Sequence, residues 1–153
     1  MFKKIATALL LILFNSYAFG EYISFPGDMC VDSEDTTHDL YYRNGTAFNY
    51  WSSAQTIICP MVLDNTNLSK NSTYINVHDG HSTEGVECTL YECGRNGGSC
   101  QVGSTKSSGG TGWQTISLDK VSHWSDGNAF IKCRVPGKQS DTMSGVASYR
   151  INN

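Results

Sequence analysis

Gly85-Val-Glu-Cys-Thr-Leu-Tyr91 puts Val86, Cys88 and Leu90 on one face of an extended chain and Glu87, Thr89 and Tyr91 on the other. A period of two marks a half-buried strand. The same alternation returns along the chain. Ala129 to Val135 (AFIKCRV) aligns Ala129, Ile131, Cys133 and Val135. Thr73 to Asp79 (TYINVHD) aligns Ile75 and Val77, and Trp113 to Leu118 (WQTISL) aligns Ile116 and Leu118. Gln55 to Val62 (QTIICPMV) is apolar and β-branched, and Val146 to Ile151 (VASYRI) aligns Ala147, Tyr149 and Ile151. Clusters of Asn, Gly, Ser and Asp separate these runs, at 64–72, 94–99, 103–112 and 136–144. No window after the first twenty residues holds a helical period. Strands at this spacing predict an all-β chain: a single antiparallel β-sandwich, immunoglobulin-like or jelly-roll-like, stapled by disulfides.

The first twenty residues, MFKKIATALLLILFNSYAFG, carry the three parts of a secretory signal. Lys3 and Lys4 form a basic start, and Ile5 to Phe14 a short apolar run. Ala18 and Gly20 supply small residues before a cleavage point at Glu21. The expected organisation is therefore a signal peptide at 1–20 and one domain at 21–153, secreted or periplasmic, with no membrane span after cleavage. Charged residues make up 16% of the chain and the net charge is −3. That balance argues against a nucleic-acid partner or a generic anionic-membrane surface.

The six cysteines are Cys30, Cys59, Cys88, Cys93, Cys100 and Cys133. An even count in an exported chain reads as a disulfide framework. The spacing of Cys88, Cys93 and Cys100 does not match a zinc pattern. Strand parity points Cys88 and Cys133 into the core and Cys93 outward, towards Cys100 across a Gly-rich turn. Cys93–Cys100 is the expected local bridge. The other four favour Cys88–Cys133 across the core with Cys30–Cys59, and Cys59–Cys133 with Cys30–Cys88 stays open.

Four stretches, taken together, resemble a group of small exported bacterial proteins: TIICPMVLD (56–64), YINVHDGHSTEGVECTL (74–90), IKCRVP (131–136) and GVASYR (145–150). The shared order is a C-P strand, a V-x-D strand, a C-T-L strand, a C-x-x-P strand and a terminal S-Y-R. The resemblance implies export and a β fold, and no chemistry. It also makes Cys93 and Cys100 additions to a shared set of four, which favours their pairing with each other.

Candidate sites are few. His78-Asp79-Gly80-His81 with Glu84 offers imidazoles and carboxylates to a transition metal, but an ordinary turn explains the same residues. Asp32, Glu34, Asp35, His38 and Asp39 could offer oxygens to calcium, without the order of an EF-hand loop. Neither carries a metal assignment, and no cofactor is expected. His38, His78, His81 and His123 could serve as bases, but no nucleophile motif accompanies them. A carboxylate pair for glycoside cleavage needs only proximity and stays open. Asn44-Gly-Thr46, Asn67-Leu-Ser69 and Asn71-Ser-Thr73 match the N-glycosylation pattern; the bacterial resemblance makes these matches coincidental.

Aromatic residues are the stronger hint. Tyr41, Tyr42, Phe48, Tyr50 and Trp51 crowd one segment, and Trp113 and Trp124 sit in or beside loops. Such rings stack on sugars and anchor protein partners when exposed, and fill a small core when not. Tyr50, Trp51, Trp113 and Trp124 are the candidate ligand-binding aromatics. The expected function is a non-catalytic binding module for a glycan or an extracellular protein. The alternatives are a secreted hydrolase and a structural envelope protein.

Overall fold

The computed structural model describes residues 22–33, 40–62, 68–122 and 126–152. Among these residues it is built from strands, with one 3-10 turn at Gly27–Met29. The strands are β1 (Tyr22–Pro26), β2 (Val31–Asp32), β3 (Tyr41–Arg43), β4 (Thr46–Asn49), β5 (Gln55–Met61), β6 (Ser72–Asp79), β7 (Glu87–Cys93), β8 (Cys100–Val102), β9 (Lys106–Ser107), β10 (Gly112–Leu118), β11 (Asn128–Val135) and β12 (Ser144–Asn152).

They form two antiparallel sheets. The first runs β10-β6-β12-β4-β3, with β1 also on β12; the second runs β2-β5-β11-β7-β8, with β9 also on β7. From β4 to β7 successive strands alternate between the sheets, and β10, β11 and β12 do so again. The four-strand cores β4-β12-β6-β10 and β5-β11-β7-β8 have the jelly-roll order. Of the two sandwich types expected, the connections select this one. No helix among the described residues is long and apolar enough to cross a membrane.

The core lies between the sheets. The alternating residues of the sequence supply it: Ile75, Val77, Ile116, Leu118, Tyr149 and Ile151 from the first sheet, and Ile57, Leu90, Ile131 and Val135 from the second. In β12 the simple alternation fails. The register slips between Val146 and Ser148, so Val146 rather than Ala147 joins Tyr149 and Ile151 inside. A bulge inserts one residue and resets the phase.

The disulfides are Cys30–Cys59, Cys88–Cys133 and Cys93–Cys100. Cys88 and Cys133 do point into the core, both fully buried. They do not bridge it, however. They stand opposite each other on the adjacent strands β7 and β11. Cys93 and Cys100 face each other on β7 and β8 in the same way, and Cys30 precedes β2 beside Cys59 of β5. All three bridges thus lie within the second sheet. Parity assigns a cysteine to a face, but not to a sheet partner. Contact between the sheets comes from packing and from buried polar reach. The Tyr149 hydroxyl donates to the Pro60 carbonyl at 2.6 Å. Asn49 Nδ2 donates to the carbonyls of Val135 and Pro136, each at 3.1 Å.

Candidate functional site

The outward face of the first sheet collects residues far apart in sequence. Register pairs Trp113 with His78, His78 with Gly145, Gly145 with Phe48 and Phe48 with Tyr41. One row therefore crosses five strands from β10 to β3. The Trp113 and His78 rings meet edge-on at 4.7 Å, and His78 and Phe48 do so at 6.2 Å. Tyr41 continues the file to Tyr50, their rings 6.2 Å apart. Lys138 Nζ lies 4.8 Å over the Tyr50 ring.

Gly145 is the gap in the row, and the gap is needed. A Cβ there would stand 2.5 Å from the Ala47 carbonyl oxygen and 2.8 Å from the Phe48 ring. Without one, the Phe48 ring can lie over β12. Asn44 and Gly45 make the turn that places β3 on β4, with φ of 52° and 77°. Positive φ at both positions is the requirement of a tight type I′ hairpin. This turn carries Arg43 and Asn44 to a cleft of about 310 Å³ that Thr46, Phe48, Trp113 and Met143 also line. Trp113 is 63% exposed. An indole left largely in water at the rim of an apolar cleft is a ready stacking surface.

Beyond the aromatic row the same face turns polar. Thr115 Oγ1 donates to Asn76 Oδ1 at 2.7 Å, and Asn76 Nδ2 donates to Ser148 Oγ at 2.8 Å. Tyr74 and Arg150 follow, paired across β6 and β12. From the Trp113 row to the Tyr74 row is four residues of strand, roughly 13 Å.

The predicted aromatics divide accordingly. Trp113 stands at one end of the file and Tyr50 at the other. Trp51 follows Tyr50 and is 38% exposed. Its amide is held by Asn49 Oδ1 at 2.9 Å. Trp124 lies outside the described residues. His78, Phe48, Arg43 and Met143 join them; His78 and Phe48 stand out in the sequence only in separate clusters, and no local pattern marks Arg43 or Met143.

The histidine cluster does not assemble as a metal site. His78 and Asp79 are neighbours on one strand and so point to opposite faces. His78 joins the aromatic row, its Nδ1 2.8 Å from the Met143 carbonyl. Asp79 is buried and its carboxylate accepts from the Ser108 hydroxyl and from the His81 amide. His81 Nδ1 accepts the Glu84 amide at 3.0 Å. Glu84 pairs with Arg134 at 3.0 Å. Among the described residues no three His, Cys, Asp or Glu side chains converge as metal ligands. Of the acidic group, Asp32 accepts from Gln55 Nε2 at 3.3 Å; Glu34, Asp35, His38 and Asp39 lie outside the described residues, as does His123.

No known family model matches this chain, and no curated protein does. Solved structures do. It is similar to the CBM36-1 domain of a multidomain xylanase from the hindgut metagenome of Trinervitermes trinervoides, with a TM-score of 0.55 and 8% identity over 87% of this chain and 98% of that one. It is similar to the C-terminal CBM6 of a marine laminarinase from Zobellia galactanivorans, with a TM-score of 0.55 and 12% identity over 87% and 100%. It is also similar to the xylan-binding module CBM86 from Roseburia intestinalis, with a TM-score of 0.53 and 14% identity over 87% and 96%. At such identities the likeness is one of fold, and the shared fold is the β-sandwich described above.

Proposed function

We propose that this chain is a non-catalytic, exported glycan-binding module, and that it captures its glycan on the outward face of the first sheet. The observation that carries the reading is the row Trp113-His78-Phe48 beside its cleft, with hydrogen-bonding side chains on the rows beyond. A sugar ring presents a C–H face and a hydroxyl edge, so it needs an aromatic plane and polar neighbours together. The likeness in fold to modules named for carbohydrate binding supports the reading. Three disulfides and a signal-like start support a place outside the cytoplasm, periplasmic or secreted.

Affinity electrophoresis and calorimetry against a polysaccharide panel test the proposal. The expected result is retention by at least one polysaccharide, no release of reducing ends, and about ten-fold or greater weakening in Trp113→Ala. Retention that Trp113→Ala leaves intact would move the site elsewhere. Release of reducing ends would make the protein a hydrolase.

A further inference from the structure

We infer that the glycan taken by this face is anionic, bearing uronate carboxylates or sulfate esters. The inference rests on the proposed glycan-binding reading and names its substrate class. The outward positions of the first sheet hold aromatic, hydroxyl, amide and basic side chains, and no Asp or Glu. They include Arg43 on β3, His78 and Asn76 on β6, Thr115 and Ser117 on β10, and Ser148 and Arg150 on β12. This is a chain whose net charge is −3, so its acids are segregated from this face rather than scarce. Described carboxylates near the sheet are placed elsewhere. Asp79 points inward, Asp119 pairs with Lys106 at 3.0 Å, and Asp28 and Asp141 stand in flanking turns.

Neither arginine pairs with a carboxylate among the described residues. Arg43 lines the cleft beside Trp113, and no described carboxylate pairs with it. The Arg150 guanidinium lies 5.4 Å from the Tyr74 ring and 6.0 Å from the Tyr22 ring. These rings hold it in place without cancelling its charge. Arg150 Nε is buried and donates to no protein acceptor. Guanidinium matches the planar, two-oxygen geometry of carboxylate and sulfate. A pyranose stacked flat on the aromatic row projects its equatorial substituents along the sheet, towards these two groups. Arg43 and Arg150 sit on different rows, so a chain with repeated acidic units engages both.

The test uses the exported, disulfide-bonded protein and four probes: polygalacturonate, a sulfated galactan, neutral arabinoxylan and single-stranded DNA. The expected result is tighter binding to an anionic polysaccharide than to arabinoxylan, weakened by salt. Arg43→Gln and Arg150→Gln should each weaken it about 5- to 10-fold and reduce its salt dependence, with a smaller loss on arabinoxylan. Preference between the first two probes assigns the anion as carboxylate or sulfate. Equal binding of arabinoxylan with no effect of either arginine variant would overturn the inference and leave the glycan-binding reading standing. Binding of DNA as tight as of the polysaccharides would overturn it in favour of unspecific polyanion attraction. Binding of no polysaccharide would overturn both readings at once.

Discussion

Tyr149→Phe gives the sharpest test of how the two sheets are held together. Tyr149 is fully buried, its ring stacked on Phe25 at 5.0 Å. Its hydroxyl donates to Pro60 of the opposite sheet at 2.6 Å. Burial, with a smaller push from Asp28, raises the phenol to about 12. Phenylalanine keeps the stack and removes only the hydroxyl. Near neutral pH the loss of one buried hydrogen bond should cost about 1–2 kcal/mol. The alkaline limb runs the other way. An unfolded tyrosine ionises near 10 and the folded one near 12, so the native phenol's contribution is intact below pH ~10 and fades as pH rises towards 12. Two units of difference amount to about 3 kcal/mol, half of it lost by pH ~11. The variant has no such loss at this position. Its stability curve should therefore lie below that of the parent at neutral pH and meet it near pH ~11. Urea unfolding followed by tryptophan fluorescence, with brief exposure to alkali, measures both curves. Parallel curves over the alkaline range would refute the linkage between this phenol and folding. Coincident curves at neutral pH would refute the hydrogen bond's contribution.

Three further outcomes follow from the same structure. Cys93→Ser with Cys100→Ser opens a short loop and should cost about 2.5 kcal/mol, against about 4 for Cys88→Ser with Cys133→Ser, by the chain-entropy model; non-reducing peptide mapping and urea unfolding check pairing and cost. Gly145→Ala drives a Cβ into the Ala47 carbonyl and the Phe48 ring, and should destabilise by about 1–3 kcal/mol while weakening glycan retention, read by thermal melting and affinity electrophoresis. Added zinc or a chelator should leave the melting temperature unchanged, because a metal that binds the native state raises it by mass action; a zinc-induced rise abolished by His78→Ala and His81→Ala would revive the metal reading.

The long strands were legible because each buries alternate residues, and alternation is a local signal. Ile75 and Val77, or Ile131 and Cys133, announce their face without knowledge of any partner. The short edge strands β1 to β4, β8 and β9 carry too few residues to show a period. Asn44-Gly45 was legible in principle, since Asn-Gly is a strong hairpin signal. The flanking segments are too short to show a period, so β3 and β4 rest on that signal alone. The aromatic row as a row was not legible, although Trp113, Phe48 and His78 each stand out in the sequence. Trp113, His78 and Phe48 become neighbours through sheet order, and sheet order follows from packing over the whole domain. His78 shows the consequence: beside Asp79 in the sequence it suggests a ligand set, yet strand alternation sends the two to opposite faces.

The division of the disulfides explains how such a face can persist. An outward row of Trp113, Tyr41 and Tyr50 adds little to stability, because these rings stay largely in water. Arg43 and Arg150 add little too, since among the described residues no carboxylate pairs with them. A small sandwich that keeps such residues on one sheet must hold itself together elsewhere. Here all three bridges lie in the other sheet, where they join β2 to β5, β11 to β7 and β7 to β8. They constrain the unfolded chain without touching the outward face of the first sheet. The two sheets then meet through core packing and a few buried polar contacts, Tyr149 and Asn49 among them. Substitutions on the proposed binding face should therefore change affinity with little change in stability, and removal of the Cys93–Cys100 bridge should do the reverse. Gly145 is the exception that follows from the same geometry, because its missing side chain serves both the β4–β12 contact and the seat of Phe48.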